Sequence, residues 1–265
     1  MKYVAFLDIL GFKNKLKSIS QSDAKNFIES FSSTVYDIFQ CQSQKLNGYI
    51  VSDSIILHTE DTQEISLNAL VQAVVSICKN EFSQNGILIR GAIAKGEFDD
   101  IPAKNLPHLK KRLMVGQAYI DAYLLEGSVK AIGINLSEEV YNDLRNYNID
   151  ANIIEEKTVK STYYILRYIT LDFLLSESNM VRFIQLASSA NWLPHYYNAL
   201  YFALKREKSS KKVDDLFHRL LSIVCEEDPS TNWRAIDTFI KNSFQNDVLD
   251  DYQTRFLKYI RNHII

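Results

Sequence analysis

The hydrophobic pattern of the chain begins with a strand and a helix. Apolar positions are nearly continuous over residues 2–8, which is typical of a strand buried on both faces. Ser22 and Asp23 then offer N-cap chemistry for a helix that runs to about Gln42, with its apolar residues on one stripe. This stripe predicts that the helix covers one face of a sheet.

Two short strands and a second helix follow. Residues 49–51 and 55–57 are apolar and flank Asp53, which predicts a hairpin with this aspartate at or beside the turn. Apolar residues then recur at helical spacing over residues 64–83. Gly86 ends that helix, because glycine tolerates the left-handed conformation.

The remaining pattern completes an α+β core. It predicts a strand over residues 87–96, a loop over 99–112, a helix over 115–126, a strand over 131–136, a helix from 137 that ends before 148, and an edge strand over 162–170. The order through residue 136 is β-α-β-β-α-β-α-β, which predicts a ferredoxin-like fold with a mainly antiparallel sheet and its crossover helices on one face. This topology brings the first strand beside the hairpin, and so Asp8 near Asp53.

The pattern changes after the last predicted strand. From about Leu171 the chain consists of long amphipathic stretches that polar breaks separate, which predicts three or four helices. We therefore expect two domains, a core over residues 1–170 and a helical region over residues 171–265.

Composition adds limits on partners and location. The 265 residues are 46% hydrophobic and 23% charged, which is ordinary for a soluble globular protein, and the net charge of −2 gives no overall attraction to nucleic acid or anionic membrane. Cys41, Cys78 and Cys225 are far apart, which indicates a reducing compartment. The first apolar run meets a charge at Asp8, too early for a signal peptide, and no run reaches the ~20 residues of a membrane span. We expect a cytoplasmic protein without stable nucleic-acid or membrane partners.

Two aspartates carry the candidate chemistry. Asp8 ends an apolar strand and Asp53 sits in the predicted hairpin beside it. Mg²⁺ and Mn²⁺ prefer hard oxygen ligands, and water and substrate phosphates usually complete their coordination shells. Two such carboxylates therefore form a minimal two-metal site. In the alternative interpretation Asp8 is a cap and Asp53 a turn residue, but a carboxylate at the end of a buried strand would then cost desolvation free energy.

Four motifs, in chain order, resemble the catalytic domain of class III nucleotidyl cyclases over residues 2–145. The matching segments are Phe6–Phe12 for F-x-D-I-x-G-F, Ser52-Asp53 for a Gly-Asp hairpin, Arg90–Gly96 for R-x-G-I-x-x-G with Ala92 in the usual glycine place, and Gly116–Leu125 for the helix motif G-x-x-V-N-x-A-x-R-L. The resemblance implies a homodimer with active sites at the interface and a nucleoside triphosphate as substrate.

The resemblance also implies roles for individual residues. Asp8, Asp53 and the main-chain carbonyl of Ile9 would hold two Mn²⁺ or Mg²⁺ ions, while the ribose 3′-hydroxyl attacks the α-phosphorus and pyrophosphate leaves. Arg90 would be a further catalytic residue that contacts the triphosphate. In the alternative interpretation, Arg90 is an ordinary strand residue that pairs with a surface carboxylate. The implied substrate contacts are Phe12, Tyr49, Arg112, Leu113 and Lys160.

Several positions depart from the family pattern. The transition-state Asn and Arg of the helix motif fall on Ile120 and Leu124, which cannot donate hydrogen bonds to phosphate. The two base-reading positions fall on Tyr49 and Leu113. A tyrosine at the first of them resembles the pyrimidine cyclases of bacterial anti-phage signalling, which implies UTP in preference to CTP, a cyclic UMP messenger and a separate effector.

Two other functions stay open at this point. A catalytically inactive cyclase-like module that binds a nucleotide or a protein is favoured by Ile120 and Leu124. A palm-type enzyme that makes oligonucleotides would use paired carboxylates in the hairpin, but Ser52 precedes Asp53 here.

Overall fold

The apolar N-terminal segment forms the strand β1 (Lys2–Ile9), in which Tyr3 to Leu7 are buried. The computed structural model describes residues 1–42, 45–101, 113–128, 132–157, 161–176, 179–190, 193–204, 207–209, 211–212 and 215–216. The chain divides into two compact units, which are Met1–Val129 with Gly133–Tyr168 and Lys130–Ile132 with Ile169–Ile265.

The first unit is built on a mixed sheet. Its other strands are β2 (Leu46–Val51), β3 (Ser54–Thr59), β4 (Ile89–Gly96), β5 (Asp99–Ile101), β6 (Leu113–Val115), β7 (Ile134–Leu136), β8 (Ile153–Lys157) and β9 (Thr162–Leu166). Six of them form one sheet with β1, in the order β2-β3-β1-β4-β7-β9-β8, and β5 and β6 form a separate ribbon. Only β4 and β7 pair in parallel among these described neighbours, which confirms the predicted α+β fold with a mainly antiparallel sheet.

Helices lie on both faces of this sheet, so the prediction that the helices share one face is wrong for α4 (Gln117–Glu126). The other helices are α1 (Phe12–Ser18), α2 (Gln21–Gln42), α3 (Glu64–Asn80) with a following π-helical turn (Glu81–Asn85), and α5 (Glu138–Asn146). Phe6 of β1 packs with Ala118 and Ala122 of α4 on one face. Tyr3 points to the other face, where its hydroxyl donates to Asp143 of α5 at 2.7 Å, and α3 packs against both α2 and α5. We call the side that α4 covers the α4 face.

The described part of the second unit is mainly helical. It contains α6 (Leu171–Leu175), α7 (Asn179–Ala190) and α8 (Leu193–Leu204). The Thr170 side chain caps α6 by accepting a hydrogen bond from the Phe173 amide. Asp172 of α6 forms an ion pair with Lys212, with 2.6 Å between Oδ1 and Nζ. No helix among the described residues is long and apolar enough to cross a membrane.

Three predicted elements are wrong in detail. Residues 99–101 are a strand rather than a loop, and Val115 belongs to the partner strand of that ribbon rather than to the helix. Residues 162–166 are not an edge strand, because β8 pairs on their outer side. The three-residue strands give no readable period, and tyrosine and isoleucine content reports strand propensity without position. Residues 102–112 of the predicted loop lie outside the described residues.

Candidate active site

Asp8 lies near the end of β1, between two strands that fix its surroundings. Its opposite residues are Ser54 of β3 and Arg90 of β4. Directly opposed residues of antiparallel strands project to the same face. The Asp8 and Arg90 side chains accordingly meet on the α4 face, with 3.6 Å between Oδ2 and Nη2, and the Asp8 side chain remains 23% exposed.

Asp53 lies in the two-residue turn between β2 and β3. The turn begins with Ser52, whose φ of 58° is in the left-handed region, where the resembling motif has a glycine. The carbonyl oxygen of Asp53 accepts from the Ile9 amide at 3.1 Å, which ties the hairpin to the end of β1. The Asp53 carboxylate lies close enough to raise the pKa of Asp8 by charge repulsion. The structure therefore brings Asp8, Ile9, Asp53 and Arg90 to one end of the sheet.

Glu126 completes this charged cluster, and the sequence patterns did not single it out as a site residue. It is the last residue of α4, 9% exposed, with Oε1 at 2.5 Å from Nε of Arg90. The two atoms form an ion pair without hydrogen-bond alignment. A signal was available, because Glu126 follows Ala118 and Ala122 at intervals of four and so shares the helix stripe that faces the sheet.

The cluster holds more negative than positive charge. Burial raises the pKa of Asp8, the Asp53 carboxylate raises it further, and Arg90 partly offsets both effects. Burial also raises the pKa of Glu126; there the Arg90 charge acts in the opposite direction and the Asp8 charge adds to the rise. A cation near Asp8 would relieve this repulsion.

The donor set suits a divalent cation that brings other ligands with it. No group of three or more His, Cys, Asp or Glu side chains converges on a metal-sized site within the described residues. Asp8 and Asp53 instead offer carboxylate oxygens at a partly exposed end of the sheet. Mg²⁺ and Mn²⁺ accept such hard donors and commonly keep water or phosphate oxygens in their remaining positions. The residues present therefore fit the ions that the resemblance implies.

An aromatic cluster lies on the same face of β2 and β3. The Tyr49 hydroxyl donates to Asp100 of β5, and the Tyr49 ring lies beside that of His58, with 6.0 Å between centroids and an interplanar angle of 29°. His58 also packs on Phe98 at 4.7 Å. His58 is 2% exposed and its Nδ1 lies 3.2 Å from the Thr59 carbonyl oxygen. Burial lowers the pKa of His58, so the ring is neutral near pH 7.

The other predicted site residues do not join these clusters. Phe12 opens α1 and packs against Phe27 of α2, with 6.3 Å between ring centroids. Leu113 lies on β6 and is 49% exposed. Arg112 and Lys160 lie outside the described residues.

Helix α4 starts where it does because of one glycine. Gly116 has a φ of 147°, and a Cβ there would lie 2.2 Å from the Glu97 carbonyl oxygen. This close approach lets α4 cross β4 with its buried stripe toward the sheet. The opposite side of the helix carries Ile120 and Leu124, which are 48% and 65% exposed.

Comparisons with known proteins place the fold. No protein-family model matches the sequence, and no curated protein matches it. The guanylyl cyclase domain of the RhoGC fusion protein from the aquatic fungus Blastocladiella emersonii matches with a TM-score of 0.50 at 18% identity, over 62% of this chain and 95% of that domain. A bacterial light-regulated adenylyl cyclase matches with a TM-score of 0.50 at 11% identity, over 71% of this chain and 56% of its own length. This chain has the fold of the class III nucleotidyl cyclase catalytic domain.

Proposed function

We propose that this chain is a metal-dependent nucleotide cyclase that converts a pyrimidine nucleoside triphosphate, UTP in preference to CTP, into its 3′,5′-cyclic monophosphate. One observation carries the proposal. Asp8 and Asp53 come together at the end of the sheet beside Arg90, on a fold that matches solved guanylyl and adenylyl cyclases.

The side chains of this cluster have separable tasks in the proposed reaction. Asp8, Asp53 and the Ile9 carbonyl would hold two Mn²⁺ or Mg²⁺ ions, which would lower the pKa of the ribose 3′-hydroxyl and stabilise the leaving group. The hydroxyl loses its proton to water, its oxygen bonds to the α-phosphorus, and the bond from that phosphorus to the bridging oxygen breaks to release pyrophosphate. The Arg90 guanidinium, 24% exposed beside the two aspartates, can bind triphosphate oxygens.

The aromatic cluster supports a small base. The Tyr49 ring is held by its hydrogen bond to Asp100 and by the neighbouring His58 ring. A phenol held in this way can contact a pyrimidine by stacking or hydrogen bonding and fills space that a purine would need. Leu113, at the other base-reading position of the motif, has no hydrogen-bonding group in its side chain. Preference for UTP over CTP rests on the resemblance of Tyr49 to the uridylate cyclases.

The same resemblance supports a biological setting. We infer a cytoplasmic homodimer that makes cyclic UMP as a second messenger in anti-phage defence and acts through a separate effector. An exposed apolar surface on β6 and α4 supports dimer formation, with Leu113, Val115, Ile120 and Leu124 each about half exposed or more. One crystal structure of the fungal domain contains a non-canonical dimer.

A second candidate is an inactive module that binds nucleotide or protein. The observation that favours it is the exposed side of α4, where apolar Ile120 and Leu124 occupy the positions of the motif's Asn and Arg. Neither side chain can stabilise charge on a phosphate, so another donor must replace them if turnover occurs.

One assay separates the two candidates. Purified protein is incubated with Mn²⁺ and each of the four nucleoside triphosphates, and the products are identified by mass. We expect cyclic UMP from UTP, loss of the product in Asp53→Ala, and full activity in the control Glu139→Gln, an exposed carboxylate on α5. Binding of nucleotide without turnover of any of the four would favour the inactive module.

A further inference from the structure

Arg90 is shared unequally between two carboxylates. Its Nε lies 2.5 Å from Oε1 of Glu126, whereas its Nη2 lies 3.6 Å from Oδ2 of Asp8. All three side chains are at most a quarter exposed, at 24%, 10% and 23% for Arg90, Glu126 and Asp8. Charge interactions are strong at such partly buried positions. If Arg90 pairs with Asp8, it neutralises the Asp8 carboxylate, and if it pairs with Glu126, the negative charge of Asp8 stays available to a cation.

The position of Glu126 is itself fixed by the neighbouring strand. Asn135 of β7 is 6% exposed, and its Nδ2 donates to the carbonyl oxygens of Leu125 at 3.0 Å and Glu126 at 3.4 Å. These carbonyls belong to the last turn of α4, where main-chain acceptors have no partner within the helix. Asn135 lies opposite Ala92, two residues after Arg90 on β4. The end of α4 is therefore attached to the strand next to the one that carries Arg90.

We propose that Glu126 is a positioning residue that draws the Arg90 guanidinium away from Asp8 and leaves the Asp8 carboxylate available to a divalent cation. The inference deepens the proposed function, because it rests on cation binding at Asp8 and Asp53. Without the Glu126 charge, Arg90 has one carboxylate partner fewer and moves closer to Asp8, where it competes with the cation.

A purely structural ion pair would have a different signature. Removing one partner of a partly buried pair destabilises the fold, but a structural role predicts no change in affinity for a cation bound elsewhere. The positioning role predicts instead that Glu126 acts on cation affinity through Arg90. The effect of Glu126→Gln should then disappear when Arg90 is absent, which a double-mutant cycle measures.

The test measures Mn²⁺ binding to the full chain without nucleotide, by the electron paramagnetic resonance signal of the free ion. We expect Glu126→Gln to weaken Mn²⁺ binding by about 10- to 100-fold, the usual effect of losing a residue that orients a metal ligand. The matched control is Asp121→Asn, which removes the same charge from a half-buried position on α4, where Asp121 accepts from Gln117 of the same helix. We expect the control to change the affinity less than twofold.

The double variant Arg90→Gln/Glu126→Gln replaces both members of the ion pair with neutral residues, so neither position keeps an unpaired charge. It therefore provides a test even if Glu126→Gln folds poorly. It should bind Mn²⁺ as tightly as Arg90→Gln alone. Equal weakening in Glu126→Gln and Asp121→Asn, or the same loss with and without Arg90, would overturn the positioning role and leave the proposed function standing. Absence of Mn²⁺ binding by the wild-type chain would instead remove the metal site and the positioning role together.

Discussion

The α4 face has a charged end and an aromatic end, and the fold stabilises them in different ways. At the charged end, Asp8 and Glu126 pair with one guanidinium and Asp53 lies near Asp8, and burial and repulsion between carboxylates raise the pKa of Asp8 and Glu126. At the aromatic end, the rings of Tyr49, His58 and Phe98 pack on one another.

This difference indicates which end depends on a ligand. The aromatic end is stabilised by its own contacts, because ring burial and ring pairs contribute favourably without any added partner. The charged end keeps carboxylates together at a cost in free energy that a bound cation would offset. We therefore expect substitutions at the two ends to change stability in opposite directions.

The largest effect should come from Asp8→Asn. Loss of a metal-binding carboxylate should lower turnover on the order of 10³-fold, because metal ions supply several kcal/mol of transition-state stabilisation. The same change should stabilise the cation-free protein by about 0.5 to 2 kcal/mol at pH 8, as removal of a repulsive charge does elsewhere. Both quantities are measured on one preparation, as turnover with Mn²⁺ and as urea unfolding with chelator.

The sign of the stability change depends on pH. The pKa of Asp8 is raised in the folded state, so at pH 8 ionisation of Asp8 costs free energy that the unfolded chain does not bear. Below the ordinary carboxyl pKa of about 3.9 the group is protonated in both states, and the advantage of Asp8→Asn should vanish. A variant less stable than wild type at pH 8 would show that the charged end is not strained by its charges.

The two ends also differ in how far the sequence predicts them. The apolar pattern predicts Asp8 near Asp53, because it predicts that the first strand lies beside the hairpin, whereas Arg90 enters the predicted site only through the motif resemblance and its place opposite Asp8 depends on strand register. Asp100 was assigned to a loop, because its three-residue strand is too short to give a period. Glu126 shares the four-residue spacing of Ala118 and Ala122, but this spacing marks a buried stripe only once the side of α4 that meets the sheet is known, and apolar residues on both sides leave that choice open.

A smaller effect should follow Tyr49→Phe at the aromatic end. The change removes the hydroxyl that donates to Asp100 and leaves the ring beside His58. A hydrogen bond to a charged group contributes about 1.5 to 3 kcal/mol, so we expect stability to fall and the preference for UTP over other triphosphates to drop about tenfold. Competition between UTP and CTP or ATP measures the preference. Tyr36→Phe, at a 64% exposed tyrosine on α2, is the matched control, and an unchanged preference in Tyr49→Phe would separate the hydroxyl from base selection.

The smallest effect should be the pH dependence that His58 gives to stability. Burial lowers the pKa of His58, so the folded chain resists a proton that the unfolded chain accepts below its ordinary value of 6.5. Stability should therefore fall as pH drops below 6.5, through the window between the two pKa values, by on the order of 1 kcal/mol or less. His58→Phe keeps an aromatic ring but cannot titrate, and it loses the contact of Nδ1 with the Thr59 carbonyl at every pH. The informative quantity is thus the change in unfolding free energy between pH 7.5 and pH 5, which should be smaller in the variant. An equal change of unfolding free energy with pH in wild type and variant would mean that the His58 ring takes up its proton as readily in the folded state as in the unfolded chain. The aromatic end would then tolerate a buried charge and would not differ from the charged end in this respect.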